Sequence, residues 1–584
     1  MIPLQELNSL PAPQFAAALS GIFERTSWVA ERIAPLRPFR SRLELHRAMC
    51  TAVEQADPDE QLALIRAHPE LAARERTGSE LTPDSAREQY GAGLGACTPD
   101  ELVRLRRLNA AYAERFGFPF VFAVKGHDRA TVMAALERRI GNAVEQERAQ
   151  ALHEIGRIAA FRLAERVDEP LGSAIIAMAE ELARSSERPD GLTCSYLTPA
   201  HRATAAQLRD WMLAAGLEVE IDAVGNLIGR WRDAAASERT LVTGSHYDTV
   251  IDAGKYDGRL GILLPIAVVT RLRTTGVRLP YTLMIVGFAE EEGVRFKSTF
   301  LGSRALAGRF DRAVLDSRDA EGITMRRAMV TAGLDPAAIP STALDPRRLL
   351  GFVEVHIEQG PVLLNAAAPL GVVTSIAGSI RCLVSVTGLA GHAGTVPMQL
   401  RRDAAAAAAE LVLAIEKRCS GIPGLVGTVG QLQVPGGAAN VIPGRCELSV
   451  DIRADRDEVR DAALTDIVAE SERIAARRQV AIKWRKVLDV AGVQCSPVMQ
   501  ERWAESIGRV TGAAEVRRLP SGAGHDAMVM AQITEMGMLF VRCGNCGISH
   551  HPSETLSAED AELAARAFED FLLNFPLPPQ RALR

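Results

Sequence analysis

The sequence predicts a multidomain protein: an all-α N-terminal bundle, then an α/β domain into which a smaller α+β domain is inserted. Its length of 584 residues exceeds what one hydrophobic core usually supports, since a domain holds roughly 150 residues. Up to about residue 167 apolar residues recur every three or four positions, which is typical of helices. Beyond about residue 170 helices alternate with apolar β-branched runs, which favours a buried sheet.

The N-terminal segment from Pro11 to about Val167 is almost entirely helical in pattern, as in FAAALSGIFERTSWVAERI and ELVRLRRLNAAYAERFG. Thr82-Pro83-Asp84 and Thr98-Pro99-Asp100 supply a capping residue followed by proline at the first helical position. We place the domain boundary near Asp168-Glu169-Pro170, so that residues 1–167 form the first domain.

The α/β part contains three apolar runs that end in polar residues, TLVTGSHYDTV, YTLMIVGFAEEEG and LLGFVEVHIEQG. Ligands are expected where such strands end. A separate strand pattern and an alanine-rich helix from Arg402 to Cys419 indicate an inserted α+β domain at residues 379–494. Residues 168–378 and 495–584 then form the main α/β domain.

The overall composition excludes several classes of partner. A net charge of -5, from 67 basic and 72 acidic residues, leaves no basic surplus for nucleic acid or an anionic membrane. The first residues lack the pattern of a signal peptide, and no apolar run approaches the roughly 20 residues of a membrane span. We expect a cytoplasmic protein. Its nine cysteines form no disulfide framework.

Histidine and acidic residues in short polar motifs are the most informative feature. Imidazoles and carboxylates in this combination suit two divalent ions, so the residues themselves favour a binuclear hydrolase. Asp248 could accept the second ring N–H of the nearby histidine or could cap a turn. The candidate metal ligands are His246, Asp257, Glu292, His356 and His550.

Together with GLAGHAGTVPMQLRRDA, GGAANVIPG and LPSGAGHDAM, these motifs resemble the allantoate amidohydrolase and N-carbamoyl-L-amino-acid hydrolase group of binuclear metallopeptidase-like amidohydrolases, over about residues 170–584. The resemblance implies that Asp257 bridges two ions, with the other four ligands completing the two sides. It also implies that Glu291 is the general base. Glu290 would then lie at the surface or behind the ligands.

The same resemblance assigns substrate-binding roles to Gln359, His392, Asn440 and Arg453, and also to His525 in a glycine-rich loop. Arginine offers a planar fork for a carboxylate, and amide or imidazole donors can stabilise an oxyanion. The resemblance further implies a homodimer formed through the inserted domain. Nitrogen and oxygen ligands without thiolate suit Mn or Zn, and the resemblance favours Mn.

Two details near the C-terminus stay open. The pair Cys543 and Cys546 could be a redox pair or half of a zinc site, or simply two packed thiols. His551 follows His550 directly; the GISH motif favours His550 as the ligand, and His551 is the alternative.

In the helical domain RAHPEL, SAREQYGAGL and FGFPFVFAVKG resemble 2-oxo-4-hydroxy-4-carboxy-5-ureidoimidazoline (OHCU) decarboxylase, a family that uses no cofactor. The resemblance implies that His68 and Glu88 are catalytic and that Arg162 and the segment Phe118-Pro119-Phe120 hold the substrate. A histidine near its unperturbed pKa could exchange a proton with the substrate. Without the resemblance His68 would be a helix-terminal residue and Glu88 an exposed glutamate.

These two resemblances lead to one functional hypothesis: a bifunctional enzyme of purine degradation that acts on small ureides. It would decarboxylate OHCU to S-allantoin and hydrolyse allantoate to ureidoglycine, ammonia and carbon dioxide. The main alternative is an N-carbamoyl-L-amino-acid hydrolase fused to a catalytically inactive helical scaffold. A binding protein without activity is a further alternative, against which the five intact ligands argue.

Overall fold

A computed structural model describes residues 1–71, 82, 84–85, 88, 97–125, 129–233 and 237–577. The chain divides into two compact units, which are described separately. The first unit comprises Met1–Leu370, Ser506–Ala514 and Val541–Arg584. The second comprises Gly371–Glu505 and Glu515–Phe540.

The N-terminal region of the first unit is helical, as its periodicity predicted. The helix Pro99–Phe116 shows why: Thr98 and Glu101 form a reciprocal capping box, Pro99 occupies the first turn, and Leu105, Tyr112 and Phe116 face the core. The other predicted start, at Thr82-Pro83-Asp84, lies partly outside the described residues. The described helices of this region are Leu4–Ser9, Ala12–Ala18, Trp28–Ile33, the 3-10 turn Ala34–Leu36, Arg42–Glu54, Pro58–Ala67, Pro99–Phe116, Arg129–Arg139 and Val144–Arg166.

The helical region joins the α/β region without a long linker. The helix Val144–Arg166 runs directly into the short strand Val167–Asp168, which pairs in parallel with Ile2–Pro3. Arg42 donates its backbone N–H to Glu169 and a guanidinium N–H to the carbonyl of Val167. The chain therefore passes between the two regions over a few hydrogen-bonded residues.

The α/β region of the first unit is built on a mixed sheet. Its central strands pair in parallel, and two antiparallel strands follow on one side. Helices cover the central strands, so these are largely buried, whereas three of the four residues of the edge strand Glu218–Ile221 are exposed. The strand order is Leu349–Ile357, Ser237–His246, Tyr281–Phe288, Leu227–Trp231 and Glu218–Ile221.

Helices and short 3-10 turns surround this sheet. The most central is Leu260–Thr274, which follows the strand Ser237–His246 through the loop that carries Asp257, and whose apolar residues are buried on every side. No described helix combines the length and the apolar character that a membrane span requires. The remaining elements are Leu171–Leu182, Pro199–Ala214, Leu301–Leu306, Arg312–Asp316, Met325–Thr331, Pro336–Thr342, Pro346–Arg348, Val362–Asn365, Asn545–Gly547 and Ala558–Leu573.

The second unit contains a four-stranded antiparallel sheet in the order Leu425–Gln433, Arg445–Ala454, Gly378–Thr387 and Ala481–Val490. Alternate residues of its strands pack against the helices Ala404–Cys419 and Asp457–Arg478. The first of these helices was predicted to begin at Arg402. It begins at Ala404 because the Asp403 side chain accepts the N–H groups of Ala405 and Ala406.

The second unit also holds shorter elements. The strand Leu370–Ile376 pairs with Val493–Gln494 in antiparallel and with Arg518–Ser521 in parallel fashion. The strand Met536–Val541 and the helix Asp526–Met530 follow in the chain, as does a small antiparallel pair formed by two-residue strands. That pair is Gly391–His392 with Val441–Ile442. The helix Pro497–Thr511 begins in this unit and ends in the first.

Candidate functional site

Three parallel strands bring candidate ligands to one edge of the sheet in the first unit. His246 is the last residue of its strand, Glu292 follows the strand Tyr281–Phe288, and His356 lies near the end of Leu349–Ile357. The carboxyl ends of parallel strands meet at one edge, which explains why residues far apart in sequence converge. His246 and His356 are buried, with 3% and 1% of their surface exposed.

Asp257 lies between the other ligands. Its Oδ1 is 3.2 Å from His356 Nε2 and 3.9 Å from His246 Nε2, while its Oδ2 is 2.9 Å from His550 Nε2. Glu292 Oε1 is 3.4 Å from the same His550 nitrogen. Two groups with ligand atoms within 4.8 Å of one another result: His246, Asp257 and His356, and Asp257, Glu292 and His550. The two groups share one carboxylate.

Backbone carbonyls fix the orientation of both buried imidazoles. His246 Nδ1 lies 3.1 Å from the carbonyl of Asp248, and His356 Nδ1 lies 2.8 Å from that of Ile357. Nδ1 carries a proton in each bond, so each Nε2 is the ring nitrogen directed toward Asp257. Gly258 sits at φ +66, where a Cβ atom would lie 2.4 Å from His246 Nε2, so only glycine fits against this ring.

The pKa values of the ligands reflect crowded acids and bases. Burial opposes ionisation of Asp257, but contact with His356 and His550 holds the pKa of this carboxyl well below its ordinary range. Burial, together with the charge of Asp257, raises the pKa of Glu292 to about 7. Contact with Asp257 raises the pKa of His550 to about 9. Opposite charges thus stabilise the ionised forms of Asp257 and His550, whereas the like charge of Asp257 disfavours ionised Glu292. Such strongly shifted neighbouring groups are typical of a site that binds cations.

The donor set fits divalent metal ions. Two buried oxygens, Glu292 Oε1 and Gln359 Oε1, accept no hydrogen bond within the described part of the chain, although burying an oxygen acceptor without a donor is costly. Imidazole nitrogens and carboxylate oxygens converge on this point without any thiolate, a set that suits Mn or Zn. Gln359 itself, predicted as a substrate-binding residue, donates its amide N–H to Asp257 Oδ1 at 3.0 Å.

The three consecutive glutamates have different surroundings. The backbone N–H groups of Glu291 and Glu292 both donate to the Asp248 carboxylate, at 3.1–3.2 Å. Glu291 also groups with His246 and Glu292 within 4.8 Å. Glu290 is fully buried, so it is not a surface residue, and burial near Asp248 raises its pKa well above the ordinary value.

One expectation about Asp248 needs correction. The sequence suggested that its carboxylate accepts the second ring N–H of His246. Instead its backbone carbonyl lies at 3.1 Å from that nitrogen, with the carboxylate at 3.6 Å. The carboxylate accepts the backbone N–H groups of Glu291 and Glu292. The residues around Asp248 could not indicate these contacts, because that segment is distant in sequence.

The open choice between His550 and His551 has a geometric answer. His550 Nε2 faces Asp257 and Glu292, whereas His551 Nδ1 accepts the backbone N–H of Ser553.

Of the two cysteines, Cys543 is buried and its sulfur accepts the N–H of Gln359, while Cys546 is exposed. The positions of Cys543 and Cys546 favour packed or loop-forming thiols over a redox pair or half of a zinc site.

Four predicted substrate-binding residues lie in the second unit. His392 and Asn440 are exposed and adjacent, because the Asn440 carbonyl accepts the N–H of Ala393. Arg453 donates two guanidinium N–H groups to Asp451 and a third to the carbonyl of Gly522, at 2.7–3.1 Å. His525 is buried, with Nε2 at 2.7 Å from Ser521 Oγ. Their roles stay predictions.

A cavity in the helical region contains three residues predicted for decarboxylation, His68, Glu88 and Arg162. Apolar side chains, including Phe120 and Ile158, form much of the remaining lining among the described residues. His127 and most of the SAREQYGAGL motif lie outside those residues.

Arg162 is surrounded by acceptors. Its Nε and Nη2 donate to the two carboxylate oxygens of Glu88 at 2.9 and 3.1 Å, and Nη1 donates to Glu24 at 2.9 Å. Ser85 Oγ and the carbonyl of Gly21 accept the remaining N–H groups. The guanidinium thus holds Glu88 in place. Neither Glu24 nor Ser85 was predicted as a site residue; only Ser85 had a signal in the sequence, as the first residue of SAREQYGAGL.

His68 presents one ring nitrogen to the cavity. Its Nδ1 lies 3.0 Å from the carbonyl of Leu64, and its buried Nε2 has no hydrogen-bond partner among the residues that the structure describes. Burial lowers the pKa of His68 to about 4. The expectation of a histidine near its unperturbed pKa is therefore wrong: this imidazole is neutral at pH 7 and presents a lone pair at Nε2.

The three residues of the predicted substrate-binding segment Phe118-Pro119-Phe120 differ in their position relative to the cavity. Phe120 lines the cavity, whereas Phe118 packs against Tyr112 and Phe116 and does not line it. Pro119 is half-buried between them and does not line the cavity either.

The helical and α/β regions resemble different known families. Residues 8–164 match OHCU decarboxylase, and residues 242–574 match peptidase family M20/M25/M40. An N-carbamoyl-L-amino acid amidohydrolase of Geobacillus stearothermophilus is 41% identical, over 66% of this chain and 94% of that protein. A probable allantoate deiminase of Oryza sativa subsp. japonica is 39% identical, over 69% of this chain and 88% of that protein.

Solved structures agree with the second match. The crystal structure of an amidase of the hydantoinase/carbamoylase family from Burkholderia multivorans is 30% identical, with a TM-score of 0.65, over 69% of this chain and 97% of that one. The similarities support a carboxy-lyase and a C–N hydrolase on a single chain. The chain accordingly belongs to the OHCU decarboxylase family in its helical region and to peptidase family M20/M25/M40 in its α/β region, as a fusion of the two.

Proposed function

We propose that the chain performs two steps of purine degradation: decarboxylation of OHCU to S-allantoin, and metal-dependent hydrolysis of allantoate to ureidoglycine, ammonia and carbon dioxide. The observation that carries the hydrolase half is the position of Asp257. One of its oxygens faces two buried imidazoles and the other faces His550 beside Glu292. A carboxylate so placed can bridge two cations and offset their repulsion.

In the hydrolase half His246, Asp257 and His356 would hold one divalent ion, and Asp257, Glu292 and His550 the other. When bound, the ions polarise the scissile carbonyl and make a water molecule acidic enough to attack at neutral pH. Glu291 takes a proton from that water and delivers a proton to the departing nitrogen as the C–N bond breaks. One water and one ureido group then yield an amine, ammonia and carbon dioxide.

Gln359 orients the shared ligand through its bond to Asp257, in addition to the contact with substrate that the resemblance implies. His392, Asn440, Arg453 and His525 are proposed to bind substrate on sequence grounds. Arg453 is suited to a carboxylate because Asp451 and Gly522 fix its guanidinium plane.

In the decarboxylase half the neutral His68 accepts a proton from a substrate hydroxyl at Nε2. The carbon–carboxylate bond then breaks, carbon dioxide leaves, and the electron pair passes to the adjoining carbon–nitrogen double bond of the ring, whose nitrogen takes a proton from solvent. The deprotonated hydroxyl becomes the ring carbonyl and His68 returns its proton to the adjacent ring carbon, so that the reaction balances without a cofactor. Glu88, held by Arg162, positions the substrate through its carboxylate.

Further parts of the proposal concern assembly and conditions. We expect Mn in preference to Zn, a homodimer formed through the inserted domain at residues 379–494, and a cytoplasmic location. The domain limits of 1–167, and of 168–378 with 495–584, belong to the same proposal.

A second substrate class is favoured by a specific observation, because the relatives include an N-carbamoyl-L-amino acid amidohydrolase as well as allantoate deiminases. Allantoate and N-carbamoyl amino acids both present a ureido group beside a carboxylate. Turnover of purified, Mn-loaded protein on both classes, with and without chelator, decides between them. We expect the larger kcat/KM for allantoate; a larger value for N-carbamoyl amino acids would establish the alternative.

The decarboxylase half needs its own test, because the helical region could be an inactive scaffold. OHCU supplied to the full chain should disappear faster than in buffer, and chiral S-allantoin should form. The variant His68→Ala should fall to the spontaneous rate. A wild-type rate no better than buffer would favour the scaffold.

A further inference from the structure

Glu554 is a buried carboxylate that follows the candidate ligand His550 by four residues. Only 4% of its surface is exposed. Its Oε1 accepts the backbone N–H groups of Tyr256 and Asp257 at 2.8 and 3.2 Å. Its Oε2 accepts the hydroxyl of Ser549 at 2.7 Å. Each carboxylate oxygen of Glu554 is therefore hydrogen-bonded to a different loop.

Each of these loops carries a metal ligand. The first holds Asp257, and the second holds His550, whose backbone has a left-handed φ of 55° and whose side chain is 48% exposed. Neither ligand lies in a regular helix or strand, so no ladder of backbone hydrogen bonds fixes its position. Yet His550 Nε2 lies 2.9 Å from Asp257 Oδ2. Contacts other than the hydrogen bonds of helices and strands must therefore set the distance between the two ligands.

The first loop is shaped to receive Glu554. At Gly254 a Cβ atom would lie 2.1 Å from the carboxyl carbon of Glu554 and 2.2 Å from its Oε1. Any other residue there would push the carboxylate away from the N–H groups that it accepts. A glycine three residues before Asp257 thus lets the side chain from the distant loop reach its acceptor position.

We propose that Glu554 is a positioning residue: by tying the Asp257 loop to the His550 loop it sets the distance between these two ligands, and with it the affinity for the ion that they share with Glu292. The inference rests on the proposed metal centre. Glu554 does not act as a ligand, since its oxygens are taken by Tyr256, Asp257 and Ser549. Partners of this kind typically change metal affinity 10–100-fold when removed.

The conservative variant separates positioning from charge. In Glu554→Gln the amide oxygen can still accept both backbone N–H groups, and the amide nitrogen can donate to the Ser549 hydroxyl, which also accepts. If Glu554 acts through geometry, E554Q retains the affinity of the ion. If it acts only as a nearby negative charge, E554Q loses as much affinity as Glu554→Ala.

The test is calorimetric titration of the metal-free full chain with MnCl2. We expect wild type to bind two ions, E554A to lose about 10–100-fold in the affinity of one, and E554Q to stay within about threefold of wild type. Ser549→Ala removes the bond between Glu554 and the His550 loop, together with a longer contact of 3.5 Å from Gln359 Nε2, and should weaken the same ion to a smaller extent. Glu169→Ala is the matched control, because Glu169 is a buried carboxylate that accepts a backbone N–H from Arg42, away from the ligands.

Wild-type affinity in E554A or in S549A would overturn the inference, as would equal losses in E554A and E554Q. Should E554A not fold, S549A and E554Q decide it by the same criteria. Failure of the metal centre itself looks different: the wild type would then bind no ions. Affinity and activity thus report separately on the positioning role and on the proposed function.

Discussion

The buried His68 predicts a specific dependence of stability on pH. Replacing it in His68→Gln removes a group that the folded state holds neutral, with 6% of its surface exposed. The quantity to compare is the free energy of unfolding of the helical region at pH 7 and pH 5, in wild type and variant.

The size of the effect follows from the pKa. Burial lowers the pKa of His68 from its ordinary value of 6.5 to about 4. Between these values the unfolded chain binds a proton that the folded chain does not, so stability falls as the pH falls from about 6.5 toward 4. The loss at pH 5 relative to pH 7 is about 2 kcal/mol from this residue. The variant should lack this part of the pH dependence.

Hydrogen exchange of the full chain measures this quantity without isolating a domain. Amides of the helix Pro58–Ala67 report the opening of the helical region, and those of Leu260–Thr274 serve as a reference within the same molecule. Wild type and variant should differ by about 2 kcal/mol in the pH dependence of the first set and agree in the second. Equal pH dependence in the helix Pro58–Ala67 would refute the neutral, buried state of His68.

The remaining predictions concern the two sites. Arg162→Met leaves two carboxylates without their cation, so it should destabilise the helical region by about 3–5 kcal/mol in urea unfolding; adding Glu24→Gln should restore part of this, and no recovery would contradict the ion-pair argument. Glu291→Gln should lower kcat for allantoate by roughly 10²–10⁴-fold while metal analysis still finds two ions, whereas loss of an ion would make Glu291 a ligand. Chelation should abolish ureide hydrolysis and leave OHCU decarboxylation unchanged, and a parallel loss of both activities would contradict the division of labour.

Much of the fold could be predicted because periodicity and capping act locally. The N-terminal helices follow from apolar spacing, and the start of Pro99–Phe116 follows from Thr98 and Pro99. The three strands that lead to His246, Glu292 and His356 follow from apolar runs that end in polar residues. Such signals need no knowledge of distant parts of the chain.

Contacts between distant segments could not be predicted in the same way. The partners of Arg162 include Glu24, which is 138 residues away, and nothing in the sequence around Glu24 marks it. Asp248 was expected either to accept from His246 or to cap a turn, but its carboxylate accepts from a segment more than 40 residues away. Glu290 was expected at the surface or behind the ligands, and only the folded structure shows that it is buried.

The order of the helical and α/β regions, the families to which they belong, and the five candidate metal ligands could be read from the sequence, because residue type and local spacing carry this information. How those residues are held became visible only in the folded chain. The protonation state of His68 depends on burial, the separation of Asp257 and His550 depends on a carboxylate nearly 300 residues from the first of them, and both are set by segments that meet only when the chain is folded.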